Sequence, residues 1–227
     1  MPAPDIHRSD AAHTLALGSV NARGRALGLQ PEDRLIAIGE TRFAGDTTNL
    51  SARFHGPSPR PQVLWFQRDG AVWPVQSQTA HLGRWRQIPM SEDDIPGDFR
   101  GKALQNWSVV VDADGRYDAL PQHPTALAFL VPFHLIRMRL WGALLLWLAL
   151  CALSVPLGWM AGLPLQALIW LYFWRSSPGL AHEDRIARGF RPWRVVAAHN
   201  ETDLHRRMAA LAPTLRFIHS AVPPPNG

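Results

Sequence analysis

The chain has 227 residues, a formal net charge of +5 and a hydrophobic fraction of 47%, enough for one or two modest domains. Its single cysteine, Cys151, excludes an internal disulfide and a cysteine-based zinc site, and is expected to be a small buried apolar side chain. The opening Met-Pro-Ala-Pro-Asp-Ile-His-Arg has no apolar core, so it does not read as a secretory leader.

Residues 1–14 read as a flexible polar start. From Leu15 to Trp85 the pattern is β-rich. Leu35 to Ile38 is a short apolar run. Thr47 to Phe54 predicts a short helix capped by Asp46, whose carboxylate takes a free backbone N–H. His55-Gly56-Pro57-Ser58-Pro59-Arg60-Pro61 then breaks it. Val63 to Phe66 and Val72 to Gln76 flank Asp69-Gly70, and Asp-Gly between two apolar runs predicts a β-hairpin. Residues 86–124 read as a loop and a hairpin extension. Met90 to Gly101 is acidic and turn-rich. Trp107 to Val111 and Arg116 to Leu120 then bracket Asp112-Ala113-Asp114-Gly115.

Residues 125–174 read as a membrane region. Ala126 to Ile136 is apolar but too short to span, and Pro132 interrupts it. It fits an interfacial entry helix or, equally, a packing segment of the soluble part. Leu140 to Trp174 holds no charged residue. That is about 35 residues, against about 20 for one spanning helix. Pro156, Gly158, Gly162 and Pro164 favour a turn. Two antiparallel segments are expected, Leu140 to about Val155 and about Leu163 to Trp174. The alternative is a buried core hairpin in a soluble protein. Trp141, Trp159 and Trp174 suit the lipid–water boundary, as do Arg137, Arg139 and Arg175. Arginines flank the apolar stretch and none lies in its turn, so the positive-inside rule puts both chain termini in the cytoplasm. Lipid and topology then account for the basic charge without nucleic acid.

Residues 175–212 read as a short α/β cytoplasmic tail. Ser176-Ser177-Pro178-Gly179 predicts a break, Leu180 to Ile186 a helix ended by Arg188-Gly189, and Trp193 to Ala198 a strand. Asn200 or Thr202 is expected to cap a helix through Leu211. Residues 213–227 read as disordered.

Two family resemblances rest on these residues. From Thr125 to about Ala212 the chain resembles the bacterial membrane domain of unknown function DUF2628. The shared features are Ala128 to Trp141, the paired apolar segments, Ile186-Ala187-Arg188-Gly189-Phe190 leading into Trp193 to Ala198, and the tail helix with Glu201 and Arg206. This resemblance implies membrane placement only, and the localisation expected is a bacterial inner membrane. Leu17 to about Gln78 resembles a bacterial PDZ domain through Gly18-Ser19-Val20 and Arg25 to Gly39. Glu32 stands where that family has Gly, and no Gly-Leu-Gly-Phe-like loop lies upstream of Val20. The resemblance implies a peptide-binding groove at Leu17, Gly18, Leu35, Ile38, Leu50 and Phe54. The fold class expected is therefore an α+β membrane protein. A small β-rich PDZ-like domain precedes a two-helix transmembrane hairpin and a short tail.

The sequence carries no P-loop, GxGxxG, HExxH or GxSxG, and no cofactor is expected. Asp112, Asp114 and Asp118 resemble the start of a calcium loop but lack its late Glu, so a solvated turn is expected. His182, Glu183, Asp184, His199, Glu201, Asp203 and His205 crowd the tail, with pairs at helical spacing. The leading functional reading is a non-enzymatic membrane-anchored adaptor that engages a protein partner, such as a membrane complex. An assembly subunit using the hairpin is the alternative. An enzyme using the tail His and carboxylates is the third.

Overall fold

The computed structural model describes residues 13–55, 60–90, 104–124 and 126–220. The acidic stretch expected as a loop, the first residues and the last seven lie outside them, as do positions 56–59. The chain divides into two compact units, Met1–Leu104 with Ala197–His199, and Gln105–Val196 with Asn200–Gly227.

Among its described residues the first unit has six strands: β1 (His13–Val20), β2 (Arg34–Ile38), β3 (Thr41–Arg42), β4 (Gln62–Arg68), β5 (Ala71–Ser77) and β6 (Gly83–Pro89). Helices α1 (Ala22–Ala26) and α2 (Thr47–Ala52) are short. The sheet order is β5-β4-β2-β1-β6, with β3 also on β2. Alternating apolar residues fill its core: Leu15, Leu17, Leu35, Leu50, Leu64, Phe66, Trp73 and Leu82 are all fully buried. Phe66 stacks on Trp85 at 6.3 Å and 10°.

Turn chemistry sets the register. Asp69 and Gly70 both take positive φ, 52° and 76°, as a tight two-residue hairpin requires. Pairing then runs from Arg68↔Ala71 to Gln62↔Ser77. Asp46 caps α2 by accepting from Asn49 N–H at 2.8 Å. The Gln30–Asp33 turn is braced from within. The fully buried Asp33 accepts Gln30 N–H at 2.8 Å. It also takes two guanidinium bonds from Arg68, at 2.6 and 2.7 Å. Arg68 in turn lies over the Trp73 ring at 5.2 Å. Helix α1 packs so closely that a Cβ on Gly24 would meet Leu82 O at 2.3 Å.

The second unit carries a four-stranded sheet in the order β10-β8-β7-β9. It is built from β7 (Gln105–Val111), β8 (Arg116–Pro121), β9 (Arg191–Ala198) and β10 (Arg216–Phe217). Its helices are α3 (Val131–Arg137), α4 (Trp141–Ser154), α5 (Gly158–Ala187) and α6 (Glu201–Leu211). The β7–β8 turn is tied by Asp112, whose Oδ1 accepts the N–H groups of Asp114 and Arg116 and whose Oδ2 accepts from Arg116 Nε. Burial opposes its charge, yet these donors hold the Asp112 carboxyl below its usual value. Asn200 caps α6 through Asp203 N–H.

Several expectations need correction. By length and composition the described residues hold one candidate membrane span, Trp141–Ala187, not two. A 3-10 turn at Val155–Leu157 and the positive φ of Gly158 divide it into α4 and α5. The second part does not stop at Trp174. It runs helically through Ser176-Ser177-Pro178-Gly179 to Ala187. Pro178 leaves the carbonyl of Trp174 without its helical N–H, and Ser177 Oγ donates to that carbonyl at 2.9 Å.

The region after Arg175 is no separate tail, because β9 and β10 complete the β7–β8 sheet. Correspondingly, β7–β8 belongs to the second unit and does not extend the first, while Arg86–Pro89 is part of β6. Residues 213–220 are ordered into a turn and β10. There β10 runs parallel to β8, and the Phe217 ring lies 5.6 Å from Tyr117.

Candidate functional site

Helix α3 has two unlike faces. Phe129 and Leu130 just before it, then Phe133 and Ile136, are exposed, Phe133 by 67%. Val131, His134 and Leu135 are buried. Val131 and Leu135 enter a cluster with Leu120, Leu140, Ile169 and Phe173. Pro132 sits in the first turn, where a missing N–H costs nothing. The helix ends in a Schellman-type closure, Leu140 N–H to Leu135 O at 2.9 Å. Its left-handed residue is Arg139, at φ 56°.

Under the polar side of α3 lies a cavity of about 390 Å³. Trp107 of β7, Asp118 of β8, and His134, Arg137, Arg139 and Arg185 line it. Asp118 and Arg185 form a buried ion pair, Nε to Oδ2 at 2.6 Å, with side chains 8% and 7% exposed. Asp184 also accepts from Arg185, at 2.7 Å. Asp118 Oδ1 accepts Ala119 N–H.

Two polar atoms in the wall are unsatisfied. His134 Nδ1 and Trp107 Nε1 are buried without a partner among the described residues. Burial, and secondarily the charge of Arg137, hold the His134 imidazole below its usual titration range, so it stays neutral near pH 7. The side chains of Arg137 and Arg139 are exposed.

Glu201 and Phe217 also border this cavity. Beside them His205 joins Tyr117, Oη to Nδ1 at 2.7 Å, and sits 3.6 Å from Glu201. Burial and the Glu201 charge push the Tyr117 phenol up. It stays protonated and bonds as a hydroxyl, which is the wrong direction for a tyrosinate nucleophile. The other tail groups tie helices: Asp184 pairs with Arg185 and Arg188, and Asp203 with Arg207.

The residues expected to form a peptide groove are mostly core. Leu17, Leu35 and Leu50 are fully buried and Ile38 nearly so. Phe54 is half-buried and Gly18 exposed. β2 is paired along both sides, by β4 on one and by β1 and β3 on the other. The terminal strands of that sheet are instead β5, blunted by Pro74, and β6. No sequence signal marked β6 as a terminal strand, since its partner β1 precedes it by about 70 residues.

At the expected lipid boundary, Trp141 and Trp159 are exposed, by 56% and 78%. Trp174 is half-buried. Its ring stacks on Trp170, which donates to Phe129 O. Arg137, Arg139 and Arg175 are exposed. Between these residues the apolar helix is bare: only 6% of its most apolar 18-residue window is buried. α4 and α5 contact one another where Gln166 Nε2 donates to Ser154 Oγ at 3.1 Å. A Cβ on Gly162 would lie 2.9 Å from Ser154 O there, whereas Gly142 and Gly158 have no neighbour within 4 Å. The polar wall of the cavity could be read from sequence only in fragments, because its residues come from five separate elements. Comparison of the chain with protein-family models, curated proteins and solved structures returns no match.

Proposed function

We propose that the protein is a non-enzymatic adaptor, anchored in a bacterial inner membrane through α4 and α5, whose first unit is PDZ-like and binds a partner's extended segment. The observation carrying the anchoring is the bare apolar surface of Trp141–Ala187, which includes Leu145, Leu153, Leu157, Met160 and Leu168 at 54% to 78% exposure. Water would strongly disfavour so large an apolar surface, whereas lipid tails cover it at no cost. A soluble-core reading would need that window buried.

α4 has 14 residues, about 21 Å. The uncharged part of α5, Gly158 to Trp174, covers roughly 26 Å. Neither leg alone matches a hydrocarbon core of about 30 Å. A pair entering and leaving on one side, with local thinning, suits these lengths. The exposed face of α3 then lies in the interface, and the positive-inside rule puts the arginines and both termini in the cytoplasm.

Partner binding is assigned to the outer edge of β6 rather than to the buried core residues, since a terminal strand offers unpaired backbone groups. Crosslinking pull-downs from gently solubilised membranes test this, comparing the full chain with one lacking residues 13–89. Loss of specific partners supports the adaptor. Retention of the same partners transfers the association to α4 and α5, and makes the protein an assembly subunit. Release of the full chain by alkaline carbonate would remove the anchoring itself.

A further inference from the structure

We propose that the cavity of the second unit binds a phosphate ester, held by Arg137 and Arg139 on its exposed side. Its volume of about 390 Å³ falls in the range of small-molecule sites. The lining is rich in donors. Arg137, Arg139 and Arg185 all line the cavity, and a guanidinium can only donate. Such a lining suits an acceptor-bearing guest.

The charge count favours an anion. Asp118 is fully engaged by Arg185 and by Ala119 N–H. That leaves Arg137 and Arg139 against Glu201, which already faces His205 at 3.6 Å. Two guanidinium forks serve the several oxygens of a phosphate better than the two of a carboxylate. Glu201 would accept from a hydroxyl or ammonium carried on the ester, as lipid headgroups carry.

Arg139 supplies a further indication. It occupies a left-handed position, φ 56°, that favours glycine. A strained residue kept at the border of a cavity fits a role for its side chain. The phosphate comes either from a lipid, reached because the opposite face of α3 is apolar, or from a soluble ester. Only the lipid source rests on the membrane reading above.

The test is calorimetric titration of the full chain in phosphate-free detergent. The probes are inorganic phosphate, glycerol 3-phosphate and dihexanoyl phosphatidylglycerol. Saturable binding of at least one is expected. Arg137→Gln and Arg139→Gly should each weaken it by about tenfold or more. Arg206→Gln, which removes the same charge from an exposed site on α6, should leave it unchanged. Arg139→Gly should melt no lower than the parent, which separates lost binding from lost folding. Binding of the lipid alone supports a headgroup site, and binding of glycerol 3-phosphate with equal strength supports a soluble ester. No saturable binding by any probe, or equal weakening by Arg206→Gln, overturns the proposal. If the soluble probes bind while the chain fails to float with vesicles, the membrane reading falls and the phosphate site stands.

Discussion

The buried pair Asp118–Arg185 makes the sharpest demand on the second unit. Both side chains are at most 8% exposed and their closest contact is 2.6 Å. Each group has a different reserve. Arg185 keeps Asp184 at 2.7 Å when Asp118 is removed. Asp118 keeps only the Ala119 N–H when Arg185 is removed. Arg185→Met therefore strands the worse-served charge, and a buried charge left alone costs about 3–5 kcal/mol. Asp118→Leu should cost less, about 2–3 kcal/mol, because a charged hydrogen bond survives. Replacing both removes the charges together, and the double variant should lie within about 1 kcal/mol of the parent, or above it. For a chain of this size each kcal/mol moves the melting temperature by about 2–4 °C, so Arg185→Met should lower it by roughly 6–20 °C. Thermal unfolding in detergent, followed by tryptophan fluorescence, measures all corners of the cycle. A double variant as unstable as the sum of the single ones would refute the reasoning, for it would mean that packing rather than charge sets the cost.

Three further outcomes follow from local geometry. Glu32 has φ 71°, and its pair with Arg86 is well exposed at both ends; Glu32→Gly should thus raise the melting temperature, with a gain of up to about 1 kcal/mol from relieved backbone strain. Ser177→Ala should cost about 1–2 kcal/mol by orphaning the Trp174 carbonyl, and should become nearly neutral in a Pro178→Ala background, where the helical N–H returns. The depressed titration of His134 means the unfolded chain takes up that proton first. Stability is therefore fully present above about pH 6.5 and falls as pH drops below it, by at most about 1.4 kcal/mol per pH unit from this group. Chemical unfolding of parent and His134→Phe between pH 7 and pH 5 measures the difference in slope, and equal slopes would sink the assignment.

Local chemistry was legible in the sequence wherever it is written in neighbouring residues. Asp69-Gly70, Asp46 and Asn200 each act within four positions of themselves, and each hairpin or cap lies where those residues put it. What escaped was pairing at long range. β6 joins β1 across most of the first unit. β10 joins β8 from a Pro-rich terminus, where composition argued for disorder. The helix through Pro178 escaped for a subtler reason. Proline was read by its missing donor alone, while the remedy lay in the hydroxyl one residue before it. The expected groove residues failed in the opposite way. The PDZ resemblance implies a groove at Leu17, Leu35 and Leu50, whereas their apolar character buries them in the core.

Helix α3 joins the two chemistries of the second unit. An apolar run of this kind predicts either an interfacial helix or a packing segment, and the structure satisfies the packing half directly: Val131 and Leu135 are core. The other half remains on the surface as Phe129, Leu130, Phe133 and Ile136. Seven residues leave room for both because the faces are separated by the helical period. His134 lies on the buried side, and its Nδ1 has no hydrogen-bond partner among the described residues. A leucine there would pack equally well in an inert core. Arg137 and Arg139 at the cavity would instead make the underside of the helix a place for the proposed polar guest, while its outer side is suited to lipid. Lipid contact and ligand capture would then act on one short element, and the phosphate titration and vesicle flotation measure its two faces separately.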